Sequence, residues 1–317
     1  MKKRKLMKIV FIIVAVIAVF FVLIYVNHRT QLKKEEKMLT PLGQMVTVDG
    51  QDMCVYTGGT GDVTLVFLSG GGTCAPILDF QSLDSLLLDD YKVAVAERFG
   101  YGFSDVTDKS RRIDSVLEDT RQALKEAGCE APYVLCPHSM SGLEALYWAQ
   151  TYPDEVQAII GLDMAVPEYY ADMKVNMPML KLTGAAARIG VTRLIPGVWE
   201  GDAVKRGTLS EKEKETYKAL FYRKTATVTM LNEYQTVREN ARMVEKRPIP
   251  KIPMLLFVSD GTGTGFDTDT WREIPKKYLA DAENGQIITL DCPHYVQDYE
   301  YEKIADDMKE FLRTEMQ

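Results

Sequence analysis

The sequence predicts an α/β fold: a mostly parallel, eight-stranded sheet with helices on both faces and an inserted helical domain, preceded by one transmembrane helix. Three observations carry this. Apolar runs of strand length recur along the chain. Helical patterns separate most of them after the third. One helix-rich stretch, 164–252, breaks the alternation.

The N-terminus comes first. Lys2, Lys3, Arg4, Lys5 and Lys8 precede Ile9–Val26, which carries no charge. As a helix this run spans ~27 Å, close to the hydrocarbon thickness of a bilayer. The basic flank predicts a cytoplasmic segment over 1–8, an anchor over 9–26 and the remainder outside. A cleaved signal peptide is the competing reading, but Tyr25–Thr30 offers no small-x-small site, which favours an uncleaved anchor. A polar stalk is expected over 27–44, with His28 as an exposed juxtamembrane residue. The expected location is the cell membrane, single-pass, with the folded domain extracellular.

Strand patterns follow at Met45–Val48, Met53–Thr57, Thr64–Leu68, Lys92–Ala96, Tyr133–Cys136, Ala158–Leu162, Met254–Val258 and Gln286–Leu290. The first three leave no room for helices between them, so the sheet should begin antiparallel and continue parallel. Residues 45–163 and 253–317 form the two parts of the core, ending in an amphipathic helix from about Tyr299 to Leu312. A βα connection is usually a handful of residues. The long stretch 164–252 is therefore expected to be a lid, with Tyr169, Tyr170, Met173 and Trp199 as candidates to line a substrate pocket. Packing of lid on core would place the same residue types.

The chain has 38 Lys and Arg against 45 Asp and Glu, a net charge of −7. The five basic residues before residue 9 are followed by none of either sign through residue 27, so residues 28–317 sum to −12. That balance disfavours nucleic acid and anionic lipid surfaces as targets. The five cysteines, Cys54, Cys74, Cys129, Cys136 and Cys292, show no metal-ligand spacing, and an odd number cannot all pair internally. No metal and no cofactor are expected. The expected partners are a small-molecule or peptide substrate and, through the N-terminal helix, the membrane.

The chemistry-bearing stretch is Pro137-His138-Ser139-Met140-Ser141-Gly142, between the strand pattern at Tyr133 and a helical pattern from Leu143. A strand turning sharply into a helix pushes one side chain out, provided the residues two before and two after it are small. Ser139 stands at that tip, with Pro137 and Ser141 where glycines are usual. A serine hydroxyl needs a base and a third group to orient the base. Of three histidines, His138 should point away from its neighbour and serve packing, which leaves His294, between the last strand and the last helix. The oxyanion needs backbone donors. Met140 N–H is one, and Gly71 N–H, in Ser69-Gly70-Gly71-Gly72 after an early strand, is the other. A phosphate-cradling role for those glycines is disfavoured, because no Gly-Lys-Ser/Thr follows. The acid is read as Asp163, which ends its strand in register, with Asp260, after the next strand, as the alternative; the glycine-rich loop 261–265 could also bring Asp267 into play.

These motifs together resemble the α/β-hydrolases of the lidded type that includes proline iminopeptidases, esterases and epoxide hydrolases. Ser69-Gly70 stands where that family has His-Gly. Glu97-Arg98-Phe99-Gly100-Tyr101-Gly102-Phe103-Ser104 stands for Asp-Arg-Pro-Gly-Tyr-Gly-x-Ser, and Pro137 to Gly142 for Gly-His-Ser-Met-Gly-Gly. The resemblance runs from about Met45 to the C-terminus, in the order Ser, acid, His. It implies a serine hydrolase acting on an ester, amide or short peptide. A serine at the tip excludes the dehalogenase and epoxide-hydrolase chemistry, which needs an aspartate there. An aminopeptidase for N-terminal proline would need acidic groups such as Glu168, Glu200 or Glu233 to converge. The alternative from another class is a non-catalytic binding or signalling module on the same fold.

Overall fold

The structure, a computed structural model, describes residues 2–171 and 173–316. One sheet contains β1 (Gln44–Val48), β2 (Gln51–Gly59), β3 (Thr64–Leu68), β4 (Lys92–Glu97), β5 (Tyr133–Pro137), β6 (Val156–Leu162), β7 (Met254–Val258) and β8 (Gly285–Thr289). Their order is β1-β2-β4-β3-β5-β6-β7-β8. β1 pairs antiparallel with β2 and β2 antiparallel with β4, and every later pairing is parallel. The antiparallel start is as expected, but β3 does not sit beside β2. Its five residues are all buried, which suits a central strand covered on both faces, and it lies between β4 and β5.

The helices are α1 (Lys2–Glu36), α2 (Pro76–Asp84), α3 (Ile113–Glu126), α4 (Gly142–Thr151), α5 (Glu168–Ala171), α6 (Met177–Ile189), α7 (Asp202–Lys205), α8 (Glu211–Lys224), α9 (Val228–Glu245), α10 (Thr268–Ala280), α11 (Val296–Tyr299) and α12 (Tyr301–Glu315). Alternate residues of each strand face opposite sides. On β3, Val66 and Leu68 join a core with α3, α4 and α10, while Leu65 and Phe67 join a second core with α2 and α12. Each fully buried Leu or Phe contributes ~1.5–3 kcal/mol. Both faces being covered is why the strands read as continuous apolar runs.

Between β6 and β7 lie α5 to α9, with local stop and start signals. Asn176 caps α6, its Oδ1 accepting from Met179 N at 3.1 Å, and Gly190 ends it in the left-handed region. Ser210 and Glu213 form a reciprocal capping box on α8, and Thr227 caps α9.

α1 departs from expectation. It does not stop where the apolar run ends but continues to Glu36, through residues expected to be a stalk. Ile24 and His28 are buried, and Gln31, Leu32 and Glu35 partly so. That spacing is one helix face, and it packs on α6 and α8. Arg193 joins the elements: its guanidinium meets Glu35 at 2.6 and 2.7 Å, its Nε donates to His28 Nδ1 at 2.9 Å, and it lies 4.0 Å over the Tyr222 ring. Arg223 donates to Leu32 O at 3.0 Å. His28 is thus buried rather than exposed. Gly190 makes the space, since a Cβ there would stand 2.3 Å from His28 Cβ. Burial, then Arg193, lowers the His28 pKa, in keeping with a neutral ring accepting at Nδ1. Ahead of this docked end, the uncharged part of α1 over Ile9–Val26 is apolar and long enough to cross a membrane, a property it shares with signal sequences.

Candidate active site

β5 ends in Pro137, and the chain turns at Ser139, which has φ +54°, into a 3-10 turn that leads to α4. A non-glycine residue there is strained and persists only where its surroundings dictate it. His138 N donates to Leu68 O at 2.9 Å, and Ala165 N to Ser139 O at 2.8 Å. Gly142 has no alternative, because a Cβ would stand 2.2 Å from Ala165 O. Ser141 replaces a usual glycine at a gain: its buried hydroxyl lies 2.6 Å from Leu68 O and 2.8 Å from His138 O, tying the turn to β3.

His294, on the loop after β8, places Nε2 2.8 Å from Ser139 Oγ and Nδ1 2.6 Å from Asp163 Oδ2. Asp163 follows β6 directly, also at positive φ (+48°), and is buried. Its Oδ1 accepts from Ser259 N at 2.7 Å and Trp271 Nε1 at 2.8 Å, and its Oδ2 from Ser259 Oγ at 2.7 Å. A buried carboxylate held by several donors stays oriented. Asp260 turns into its own loop, accepting from Thr262 N at 2.7 Å, and Asp267 caps α10. Of the three candidate acids, Asp163 meets His294.

His138 is buried beneath this pair. Its ring lies 4.7 Å from the rings of His294 and Tyr295, and its Nε2 is 3.1 Å from His294 O. Burial, and then His294, pushes its pKa well below the usual range, so the neutral ring donates to that carbonyl. From the other side, His294 N donates to Thr262 O at 3.1 Å.

Ser139 and His294 open on a cavity of about 250 Å³, lined also by Gly70, Gly71, Met140, Tyr169, Tyr170 and Met173. A Cβ on Gly70 would stand 2.9 Å from Ser139 Cβ, so no side chain fits there. The carbonyls of this loop are each held. Arg98 Nη2 donates to Ser69 O at 2.9 Å and Gly70 O at 3.3 Å, and Tyr234 Oη to Gly71 O at 3.1 Å. Arg98 is buried between Glu144 (3.3 Å) and Glu233 (3.8 Å). Burial opposes its charge, but Glu233, Tyr101 and Glu144 more than offset that and raise its pKa. Tyr101 also donates its hydroxyl to Glu233.

Trp199, expected to line the cavity, does not. It packs against a separate cluster of Leu78, Ala203, Leu209 and Leu220, with Lys218 Nζ 5.2 Å from its ring centre. It lies just before α7, in the cluster where α2, α7 and α8 meet. Glu168, Glu200 and Glu233 are likewise not among the lining residues. Tyr234, Phe266, Trp271 and Tyr295 line the cavity and were not anticipated. Only Tyr295, next to His294, carried a sequence signal. A larger hollow of about 550 Å³ lies at the amino ends of β3 and β5, the opposite edge from Ser139.

Residues 63–185 match the family described as alpha/beta hydrolase fold. The chain is 36% identical over 317 residues to the uncharacterized protein YbdG of Bacillus subtilis (strain 168), covering 98% of both. Among solved structures it is similar to an epoxide hydrolase of Bacillus megaterium (TM-score 0.64, 18% identity, 85% of this chain and 100% of that one). It is also similar to a thermophilic esterase of Thermogutta terrifontis (0.61, 17%, 86% and 99%). At these identities the structural likeness is one of fold. Sheet order, the turn at Ser139 and the full-length relative lead to one assignment: the chain belongs to the α/β-hydrolase family.

Proposed function

We propose that this chain is a membrane-anchored serine hydrolase cleaving an ester, amide or short peptide bond outside the cell through an acyl-enzyme. The carrying observation is the unbroken relay from Ser139 Oγ through His294 to Asp163, at 2.8 and 2.6 Å. Ser139 attacks the carbonyl carbon while His294 Nε2 takes its proton. Asp163 holds Nδ1–H and stabilises the imidazolium. The tetrahedral oxyanion is received by the N–H groups of Met140 and Gly71. His294 then protonates the leaving group, and water repeats the cycle on the acyl-enzyme. A serine at the tip of the turn favours an acyl-transfer reading like that of the esterase over epoxide opening. The absence of Glu168, Glu200 and Glu233 from the cavity lining removes support for a site built around a substrate amine. A non-catalytic module has no use for such a relay.

The helix over 9–26 serves as the anchor, and the insertion between β6 and β7 serves as the lid that shapes the cavity through Tyr169, Tyr170 and Met173. The test uses the full chain in detergent, a fluorophosphonate probe and a panel of chromogenic esters and aminoacyl amides. Ser139→Ala should abolish labelling and lower turnover by about 10⁴–10⁶-fold with folding intact. Labelling and turnover that both survive would overturn the assignment. Protease treatment of intact cells should digest the folded domain, and the N-terminal sequence should still precede residue 9.

A further inference from the structure

The average charge of −12 outside the anchor hides a segregation. Residues 173–195 carry Lys174, Lys181, Arg188 and Arg193 and no acidic residue. That stretch is +4, so the rest of 28–317 stands at −16, and with Arg193 paired to Glu35 it presents Lys174, Lys181 and Arg188. The same stretch is apolar where it is exposed: Met179, Leu182, Leu194 and Ile195 are each more than half accessible. On α6 only Gly184 and Ala187 are buried. A helix with apolar and basic exposed residues and no acid has the composition of a segment lying in the interface of an anionic bilayer.

The position of this stretch is fixed by α1. Its apolar run ends at Val26, and His28, two residues on, packs on Gly190 at the end of α6. Ile24, still within the run, is buried where α1 meets the insertion. Two residues of helix are ~3 Å of rise, so whatever touches His28 touches the membrane boundary. Arg193, bonded to both His28 and Glu35, prevents the domain from swinging on a tether. Met173 begins the stretch and also lines the Ser139 cavity.

We infer that residues 173–195 form a second membrane contact, seated in the anionic leaflet from which α1 emerges, and that they hold the cavity mouth there for amphiphilic, bilayer-borne substrates. This rests on the anchor and hydrolase readings above.

The test reconstitutes the full chain in phosphatidylglycerol vesicles. An environment-sensitive fluorophore is placed at Leu182→Cys or Glu126→Cys, in a Cys129→Ala background that removes the one cysteine not buried. Glu126 ends α3 near the amino edge of the sheet, away from the insertion. The label at 182 should shift to shorter wavelength and be quenched by nitroxide-bearing lipid, whereas that at 126 should do neither. Met179→Glu with Leu182→Glu should lower turnover of a long-chain ester presented in vesicles by about tenfold or more, leaving a soluble short-chain ester within about twofold. A water-like label at 182 on vesicle-bound protein would overturn the contact while leaving the anchor standing. A membrane-buried label with unchanged vesicle-ester turnover would overturn the substrate delivery alone. Protein washed off the vesicles at alkaline pH would instead sink the anchor reading, and the label, which needs no turnover, reports even if Ser139 is no nucleophile.

Discussion

Asp163 is where register in the sequence and geometry in the structure meet. It follows β6 without a spacer, at the carboxyl edge of the sheet where ligands bind in open α/β folds, and that register, with the glycine-rich loop after the later strand, favours it over Asp260. The donors that orient it were not legible: Ser259 closes β7 and Trp271 lies one turn into α10, about a hundred residues away along the chain. Asparagine at 163 would present an amide to these donors or to His294 and favour the wrong imidazole tautomer. Asp163→Asn should therefore cost about four orders of magnitude in turnover, and about 1–3 kcal/mol of stability from mismatched buried donors. Asp260→Asn, which keeps an amide oxygen to accept from Thr262 N and stands away from His294, should cost tenfold or less. Steady-state kinetics and thermal melts on both variants check this, and the reverse ranking would move the acid to the later strand.

The elements were legible wherever burial imposes a pattern. Central strands buried on both faces announce themselves as apolar runs, so β3 and β7 fall at the expected residues, Thr64–Leu68 and Met254–Val258. Neighbour relations did not follow from those runs, since a βα unit that fits β3 between β4 and β5 reads the same locally as one beside β2. The stalk was misjudged for a related reason: Gln31 to Glu36 looks solvated in isolation, and only Arg193 and Arg223 on distant elements make it a docked helix. Arg98 has the same long reach. It follows β4, clamps the Ser69 and Gly70 carbonyls, and faces Glu144 on α4 and Glu233 on α9. Removing it leaves buried Glu144 without its ion-pair partner and Glu233 with Arg111 alone, 3.7 Å away. Arg98→Met should cost about 3–5 kcal/mol. Because it frees the loop that bears Gly71, kcat should fall more than KM rises. A melt and a kcat-against-KM comparison test this, and a stability loss with kcat untouched would remove Arg98 from the positioning of the loop.

At the scale of the molecule, the insertion is held to the core partly by groups that the sequence presents as ordinary acids. Asp79 on α2 is buried, with Oδ1 accepting from Tyr217 Oη of α8 at 3.1 Å. Burial, opposed by that bond and reinforced by Glu97 and Asp202, pushes its pKa up to about 8. Asp84 is raised to about 8 and Glu97 to about 7, chiefly by burial, and Asp298 is raised well above the usual range for the same reason. The folded state therefore holds protons on these carboxyls that the unfolded chain has released. With the folded pKa above the unfolded one, the stability each contributes is full below about pH 4 and is lost as pH rises through its folded value. The joint contribution of these carboxyls should fall between about pH 5 and pH 9, opposed below about pH 6.5 by His28 and His138, whose lowered pKa values act with the reverse sign. Even a third of the Asp79 shift amounts to about 2 kcal/mol. Asp79→Asn keeps the shape and an acceptor for Tyr217 but cannot ionise, so it should raise the melting temperature at pH 9 and leave it nearly unchanged at pH 5. Thermal melts of both proteins across that range decide the matter. Because Asp79 and Tyr217 join α2 to α8, the parent chain should also lose order in the insertion first on the alkaline side, seen as faster amide exchange in α8 than in β3. An equal melting shift at both pH values would mean that packing, and not the buried proton, sets the contribution of Asp79.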